Sequence, residues 1–425
     1  MVKYLIGFVL IGAHQMVAAQ SINQIINANE VERIERTLSA DDMRGRKIFT
    51  PEIDKAAEFI AAEFKKAGLQ PVADHSYFQE FSLQRGRVIS INGQVNGKAL
   101  DASYIIALTA QNELFVNASS GYEKIQVGAK DTLISLVNRL QAKGGNYVLV
   151  VDTVQRMDFE RIKRRSPFTP KGNMILLLTA DNVQTFEVQL KQDVQQMPLK
   201  NVVGILPGKS KKAEYVIYSG HYDHLGVGKP NAEGDSIFNG ANDDAAGITA
   251  VIMLANYFAK QKNNERTLIF AAFTAEESGG FGSRYFSQQF DPNLVMAMFN
   301  IEMIGTESKW GRNSAFITGY EKSDMGAILE KNLQGSAFKF YPDPYPDQQL
   351  FYRSDNATLA RLGVPAHSIS TSKMDSEKYY HTQDDEIETL DMNNMAEIIK
   401  AIAISSTSIV SGKDTPSRVD ATQLR

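Results

Sequence analysis

Cysteine is absent from all 425 residues. That excludes a disulfide framework, a lipidated anchor cysteine and any thiolate chemistry. Neither sign of charge is in clear excess: 45 Lys and Arg stand against 49 Asp and Glu, a formal net charge of -4. The basic footprint of a nucleic-acid partner is therefore missing. Long apolar runs are missing as well, and nothing after the first residues is long enough to span a bilayer. At the start, Lys3 precedes Leu5-Ile6-Gly7-Phe8-Val9-Leu10-Ile11, followed by Val17-Ala18-Ala19. This run is shorter than the roughly 20 apolar residues a bilayer demands. A positive start, a short apolar stretch and small residues before Gln20 predict a secretory leader over residues 1–19, and hence a periplasmic or secreted protein without stable membrane insertion.

What is present suffices for a sizeable core, since 43% of the residues are hydrophobic. One large domain plus a smaller one is the expected organisation. A short helical pattern covers Asn29 to Leu38, and Ser39 to Arg46 reads as a polar loop. Pro51 opens a stronger helix with Ala56, Phe59, Ile60, Phe64 and Ala67 at helical spacing, ended by Gly68. Residues 20–82 form the first part of the main domain. From 83 to 200 the character changes to short β-like runs with a helix around Asp131 to Lys143, read as an inserted domain. Residues 201–412 then alternate strand and helix, with an almost unbroken apolar strand from Arg266 to Thr274, which predicts a layered α/β/α core. A polar tail, 413–425, closes the chain.

In open α/β sheets functional groups gather at the carboxyl ends of strands, and the unusual residues lie there. One strand ends in His221-Tyr222-Asp223, another in Thr274-Ala275-Glu276-Glu277, a third in Asn300-Ile301-Glu302. Asp243 stands at the mouth of a helix and His381 in a loop after the last strand. Singly these residues have ordinary explanations: His221 and Asp223 a polar pair, Asp243 a helix cap, His381 a solvated side chain. Glu276 and Glu277 are harder to dismiss, because neighbouring carboxylates repel and a nearby cation relieves them. Imidazoles and carboxylates without thiolate are the donor set of a catalytic ion. Two histidines and three carboxylates exceed one site and suit two ions sharing a carboxylate. Of the remaining histidines, His14 falls in the leader, His75 in a polar loop and His367 in a core strand, while His224 is left undecided. Lys163-Arg164-Arg165 reads as a solvated face.

The segments Gly220-His221-Tyr222-Asp223, Asn242-Asp243-Asp244-Ala245-Ala246-Gly247, Ala275-Glu276-Glu277-Ser278-Gly279, Asn300-Ile301-Glu302-Met303-Ile304-Gly305 and Tyr380-His381-Thr382 resemble the signature of the co-catalytic zinc exopeptidases. That is peptidase family twenty-eight, with its secreted bacterial aminopeptidases, glutamate carboxypeptidase and glutaminyl cyclases. Order and spacing agree over roughly 200 to 410, and Met43 through Leu69 resembles the family's entry segment. The resemblance implies a three-layer α/β/α core with a mixed central sheet, an inserted smaller α/β domain of protease-associated type, and two divalent ions, zinc expected. It implies that Asp243 bridges the ions, with a cis peptide bond to Asp244. His221 and Glu302 would complete one site, Glu277 and His381 the other. Glu276 would be general base and acid, Asp223 would orient His221, and Tyr380 would help to hold the oxyanion. The family usually has Asp where this chain has Glu302, which places substrate preference in question more than metal binding.

The resemblance implies a metallo-exopeptidase acting on peptides, an aminopeptidase first. Glutamate-carboxypeptidase-like or dipeptidase activity comes next, then a glutaminyl cyclase, then a catalytically inactive binding ectodomain. A carboxypeptidase for acidic residues calls for arginines near the site, which the sequence does not locate.

Overall fold

The computed structural model describes residues 22–164 and 170–424. The expected leader with its His14, and Arg165 of the basic run, lie outside them. The chain divides into two units, residues 1–80 with 199–425, and residues 81–198.

In the smaller unit a four-stranded sheet runs in the order Ile105–Leu108, Asn173–Leu178, Asn146–Val151, Glu123–Val127. Helices Leu133–Lys143 and Arg156–Arg164 pack through Leu133, Val137, Leu140, Phe159 and Ile162 into one core with this sheet.

The larger unit is built on α1 (Ala28–Leu38), α2 (Pro51–Ala67), the part of strand β1 (Phe186–Leu206) from Leu199 onward, β2 (Lys211–His221), α3 (Ala246–Gln261), β3 (Arg266–Phe273), β4 (Val295–Ile301), β5 (Ser314–Ile317), β6 (Lys339–Pro342), β7 (Ala366–Ser370) and α4 (Met392–Ser405). Its sheet order is β6-β5-β7-β4-β2-β3-β1. The central β7, β4, β2 and β3 are parallel, whereas β1 pairs antiparallel with β3 and β5 antiparallel with β7. The sheet is therefore mixed. Its strands are covered on both faces, which is why β3 is buried at every residue. Val216, Tyr218, Leu268 and Phe270 face one core with α1, α2, α3 and α4. Ile217, Ile269 and Ala271 face the other, with Phe286, Leu359 and Ala360 from the short helices Phe281–Ser287 and Asn356–Ala360. Alternating side chains along each strand thus build the three layers.

Ser39 to Arg46 departs from the expected polar loop. Asp41–Arg46 is a pair of tight turns in which Met43, Gly45 and Arg46 are buried. A Cβ on Gly45, whose φ is +66°, would sit 2.4 Å from the Phe238 carbonyl oxygen, so only glycine fits there. The turn drives the Arg46 guanidinium into the core, where it donates to the carbonyls of Leu38 (2.7 Å), Tyr222 (2.9 Å), Asn239 (2.5 Å) and Gly240 (2.8 Å). One cation thereby ties the entry segment to the two loops that carry His221 and Asp243. The polar tail is also held down: Arg266 donates to the Ile409 and Asp414 carbonyls, and Val419 is buried.

Glu35 is fully buried and accepts a hydrogen bond from Thr249 Oγ1 at 2.9 Å. Burial pushes its carboxyl up to about 8, against the Thr249 hydroxyl and the charge of Arg46. The folded chain thus holds this proton more tightly than the unfolded one, whose glutamate titrates near 4.5. Its stabilising contribution is complete below pH 4.5 and is lost as pH rises through 8. Glu35→Gln cannot ionise. Its denaturation free energy relative to wild type is expected to rise between pH 5 and pH 9 by about 1 kcal/mol per pH unit inside that window. Parallel curves for the two proteins would contradict this.

Candidate metal centre

The parallel strands deliver the candidate donors to one edge of the sheet. His221, last in β2, lies in register with Phe273, last in β3, so the turn carrying Glu276 and Glu277 leaves the sheet beside it. Ile301 ends β4 in register with Ile369 of β7 and places Glu302 on the other side. Asp243 precedes α3, with a cis peptide bond to Asp244. Ala275, Met303 and His381 have φ values of 59°, 50° and 58°. Each is a donor or lies within two residues of one, and such left-handed non-glycine residues cluster at functional sites.

The five side chains named as ligands converge. His221 Nε2 is 3.2 Å from Asp243 Oδ1 and 3.3 Å from Glu302 Oε1. His381 Nε2 is 3.2 Å from Asp243 Oδ2 and 3.1 Å from Glu277 Oε1. Asp243 therefore lies between two groups and offers one oxygen to each. Around it stand carboxylates with other duties. Asp244 accepts from the backbone N–H of His221 (3.2 Å), Gly247 (3.1 Å) and Met303 (3.1 Å), so its oxygens are consumed in joining β2, α3 and the turn after β4. Asp385 accepts from the N–H of Asn242 (2.8 Å) and Asp243 (3.0 Å) and fixes the Asp243 backbone. Ser354 donates to Glu302 Oε2 at 2.5 Å. Asp385 and Ser354 carry no signal in the sequence, because their partners, two backbone amides and the Glu302 carboxylate, come from distant segments.

Asp223 differs in detail from the expectation. His221 Nδ1 lies 3.0 Å from the Asp223 backbone carbonyl, while the nearest carboxylate oxygen is 3.9 Å away. That carboxylate instead accepts the Glu276 N–H at 3.0 Å. The carbonyl is thus the part that sets the imidazole's tautomer. Tyr380 stacks on His381, with ring centroids 3.9 Å apart. His224, undecided from the sequence, is buried within the same cluster, its Nδ1 3.0 Å from Glu277 Oε1.

The electrostatics show the strain of this crowding. Burial alone would raise Asp243, yet hydrogen bonds from His221 and His381 hold it well below the usual carboxylate range. Glu277, also opposed by burial, is held down to about 2 by His224 and His381. Glu276 goes the other way: burial lifts it well above its ordinary value, with Asp355, Glu302 and Glu277 adding to the lift and His221 opposing it. Burial lowers His381, but Asp243 and Glu277 carry it up to about 10. Buried polar atoms without a hydrogen-bond partner among the described residues gather here: Asp223 Oδ2, both ring nitrogens of His224, Glu277 Oε1 and both oxygens of Asp355.

This donor set fits two divalent ions. Tetrahedral bonds of about 2.0–2.1 Å place ligand atoms about 3.3–3.4 Å apart. The contacts around Asp243 run from 3.1 to 3.3 Å.

Residues 201–405 match the model of Peptidase family M28. Over that segment, just under half of its length, the chain is similar to this family. A probable leucine aminopeptidase of Trichophyton verrucosum (strain HKI 0517) is 27% identical over 214 residues, 48% of this chain and 56% of its own length. The chain therefore spans little more than half of that relative. Among solved structures, an aminopeptidase from Aneurinibacillus sp. strain AM-1 superposes with a TM-score of 0.56 at 17% identity, covering 92% of this chain and 95% of its own. The zinc aminopeptidase BSAP from Bacillus subtilis gives 0.55 at 16%, covering 93% and 98%. Both share the fold. All five converging donors lie inside the M28 segment, as do Glu276 and Tyr380.

Stripping divalent ions should leave the M28 carboxylates facing one another. Returning zinc is expected to raise the melting temperature until two equivalents are bound, each site held at a thousand times its Kd stabilising the fold by roughly 4 kcal/mol. A melting curve that zinc does not move would contradict the donor-set argument.

Proposed function

We propose that this chain is an exported two-zinc aminopeptidase that removes the N-terminal residue of peptides. The observation that carries the reading is the single Asp243 carboxylate placed between His221 and His381, with Glu276 beside it and committed to neither group. In this reading Asp243 is shared by both ions, His221 and Glu302 complete one site, and Glu277 and His381 complete the other. When bound, the two ions supply Lewis acidity, bringing the pKa of a water towards about 7 and polarising the scissile carbonyl.

The chain's own residues do the rest. Asp223 anchors the Glu276 backbone through its 3.0 Å bond, so the Glu276 carboxylate has a fixed origin. Its raised proton affinity suits a group that takes the proton of the attacking water and passes it to the leaving amine. Tyr380, stacked on His381, supplies a hydroxyl to the developing oxyanion. A cavity opens beside Glu302, walled by Met303, Phe316, Leu350 and Met374. Its apolar wall suits the side chain of the residue being removed, and Glu302 is the carboxylate nearest to that residue's free amine.

One observation favours a second reading, a carboxypeptidase for acidic residues. Arg353 lines the same cavity. It reaches Gln348 Oε1 at 3.4 Å and forms no ion pair among the described residues. It is one guanidinium, not the cluster such an activity calls for, and it stands second to the shared carboxylate.

The test is a peptide panel with free and acetylated N-termini, run on wild type and Glu276→Gln. Wild type should release N-terminal residues from free-amine peptides only. Glu276→Gln should lower kcat by roughly 10²–10⁴-fold with zinc content unchanged. Release from C-termini of acetylated peptides would favour the second reading, and pyroglutamate from a Gln-initiated peptide would favour a cyclase. Full turnover by Glu276→Gln would remove its role as base. Export is tested separately: the protein recovered from the periplasm or medium should begin at Gln20, and a cytoplasmic protein retaining residues 1–19 would contradict the leader.

A further inference from the structure

We propose that His224 is a fourth protein ligand of the ion site formed by Asp243, Glu277 and His381, an assignment that rests on the two-ion reading. The His224 imidazole is buried, 2% exposed as a residue. Its Nδ1 lies 3.0 Å from Glu277 Oε1 and 3.9 Å from Asp243 Oδ2, the two oxygens that His381 Nε2 approaches at 3.1 and 3.2 Å. These four distances bracket the edge of about 3.3–3.4 Å expected of a tetrahedral site.

The approach is close enough for an ion pair but is not aligned as a hydrogen bond. Neither ring nitrogen of His224 has a hydrogen-bond partner among the described residues, and neither has Glu277 Oε1. Leaving such groups buried with no partner is costly. A cation between them satisfies the imidazole lone pair and the carboxylate oxygen together. The backbone holds the ring in place. His224 N donates to the Arg46 carbonyl at 3.3 Å. At Gly240 a Cβ would come within 2.5 Å of the ring, so the bare backbone of that residue abuts it. The His381 ring meets the His224 ring edge-on, centroids 5.7 Å apart.

The consequence is an asymmetric pair. With His224 this site has four protein donors, the number that closes a zinc site, whereas the His221 site has three and keeps a position open. The sequence His221-Tyr222-Asp223-His224 then supplies one imidazole to each ion from a single strand end.

The test is zinc binding to the full chain, read by chelator competition and by X-ray absorption. Wild type loaded with two zinc ions should show about 1.5 imidazoles per zinc on average, three histidines over two ions. His224→Ala and His224→Asn should keep one zinc at wild-type affinity and lose the other by more than about 100-fold, beyond the 10–100-fold typical of an outer partner of a ligand. About one imidazole per zinc in wild type would overturn the assignment, as would a loss of about 100-fold or less. The absorption measurement decides even where a variant fails to fold. Wild type that binds no zinc would overturn the two-ion reading itself, and this assignment with it.

Discussion

The structure turns on an excess of carboxylates in one place. Asp223, Asp243, Asp244, Glu276, Glu277, Glu302, Asp355 and Asp385 surround the edge of a single sheet, and most are buried. Like charges at such spacing are tolerated only when protonated, hydrogen-bonded or neutralised by cations. Asp244, Asp385 and one oxygen of Asp223 are satisfied by backbone N–H groups. Asp243, Glu277 and Glu302 have imidazoles and a serine in front of them instead. Two divalent ions are the economical remedy, and the acids already pinned by backbone amides determine where the others point.

The scaffold serves that arrangement. Parallel strands β2, β3 and β4 end together, so three turns converge without any long loop having to fold back. Arg46 fastens the N-terminal segment to Tyr222, Asn239 and Gly240. A buried guanidinium bonded only to carbonyls is costly unless every bond is made. Precision in the loops around His221 and Asp243 therefore depends on a residue far outside the M28 segment.

The parts legible in the sequence were those that local chemistry dictates. β3 is buried end to end and read so from its apolar run; α3 and the strand ends carrying His221, Glu277 and Glu302 were likewise visible. What escaped depends on distant pairings. Ser39 to Arg46 is polar in composition, yet Arg46 is buried because four carbonyls from other segments await it. Asp385 looks like any loop acid until the amides of Asn242 and Asp243 are brought to it. The sequence places His221 and Asp223 side by side, but residue spacing could not tell the carbonyl from the carboxylate as the contact. Two atoms of one residue have the same sequence position, and only the backbone path separates them.

The most direct measurement is anomalous diffraction at the zinc edge from crystals of the zinc-loaded chain. The account predicts two peaks, one on each side of the Asp243 carboxylate, the first against His221 and the second against His381. A single peak, or two peaks that do not share Asp243, would contradict it.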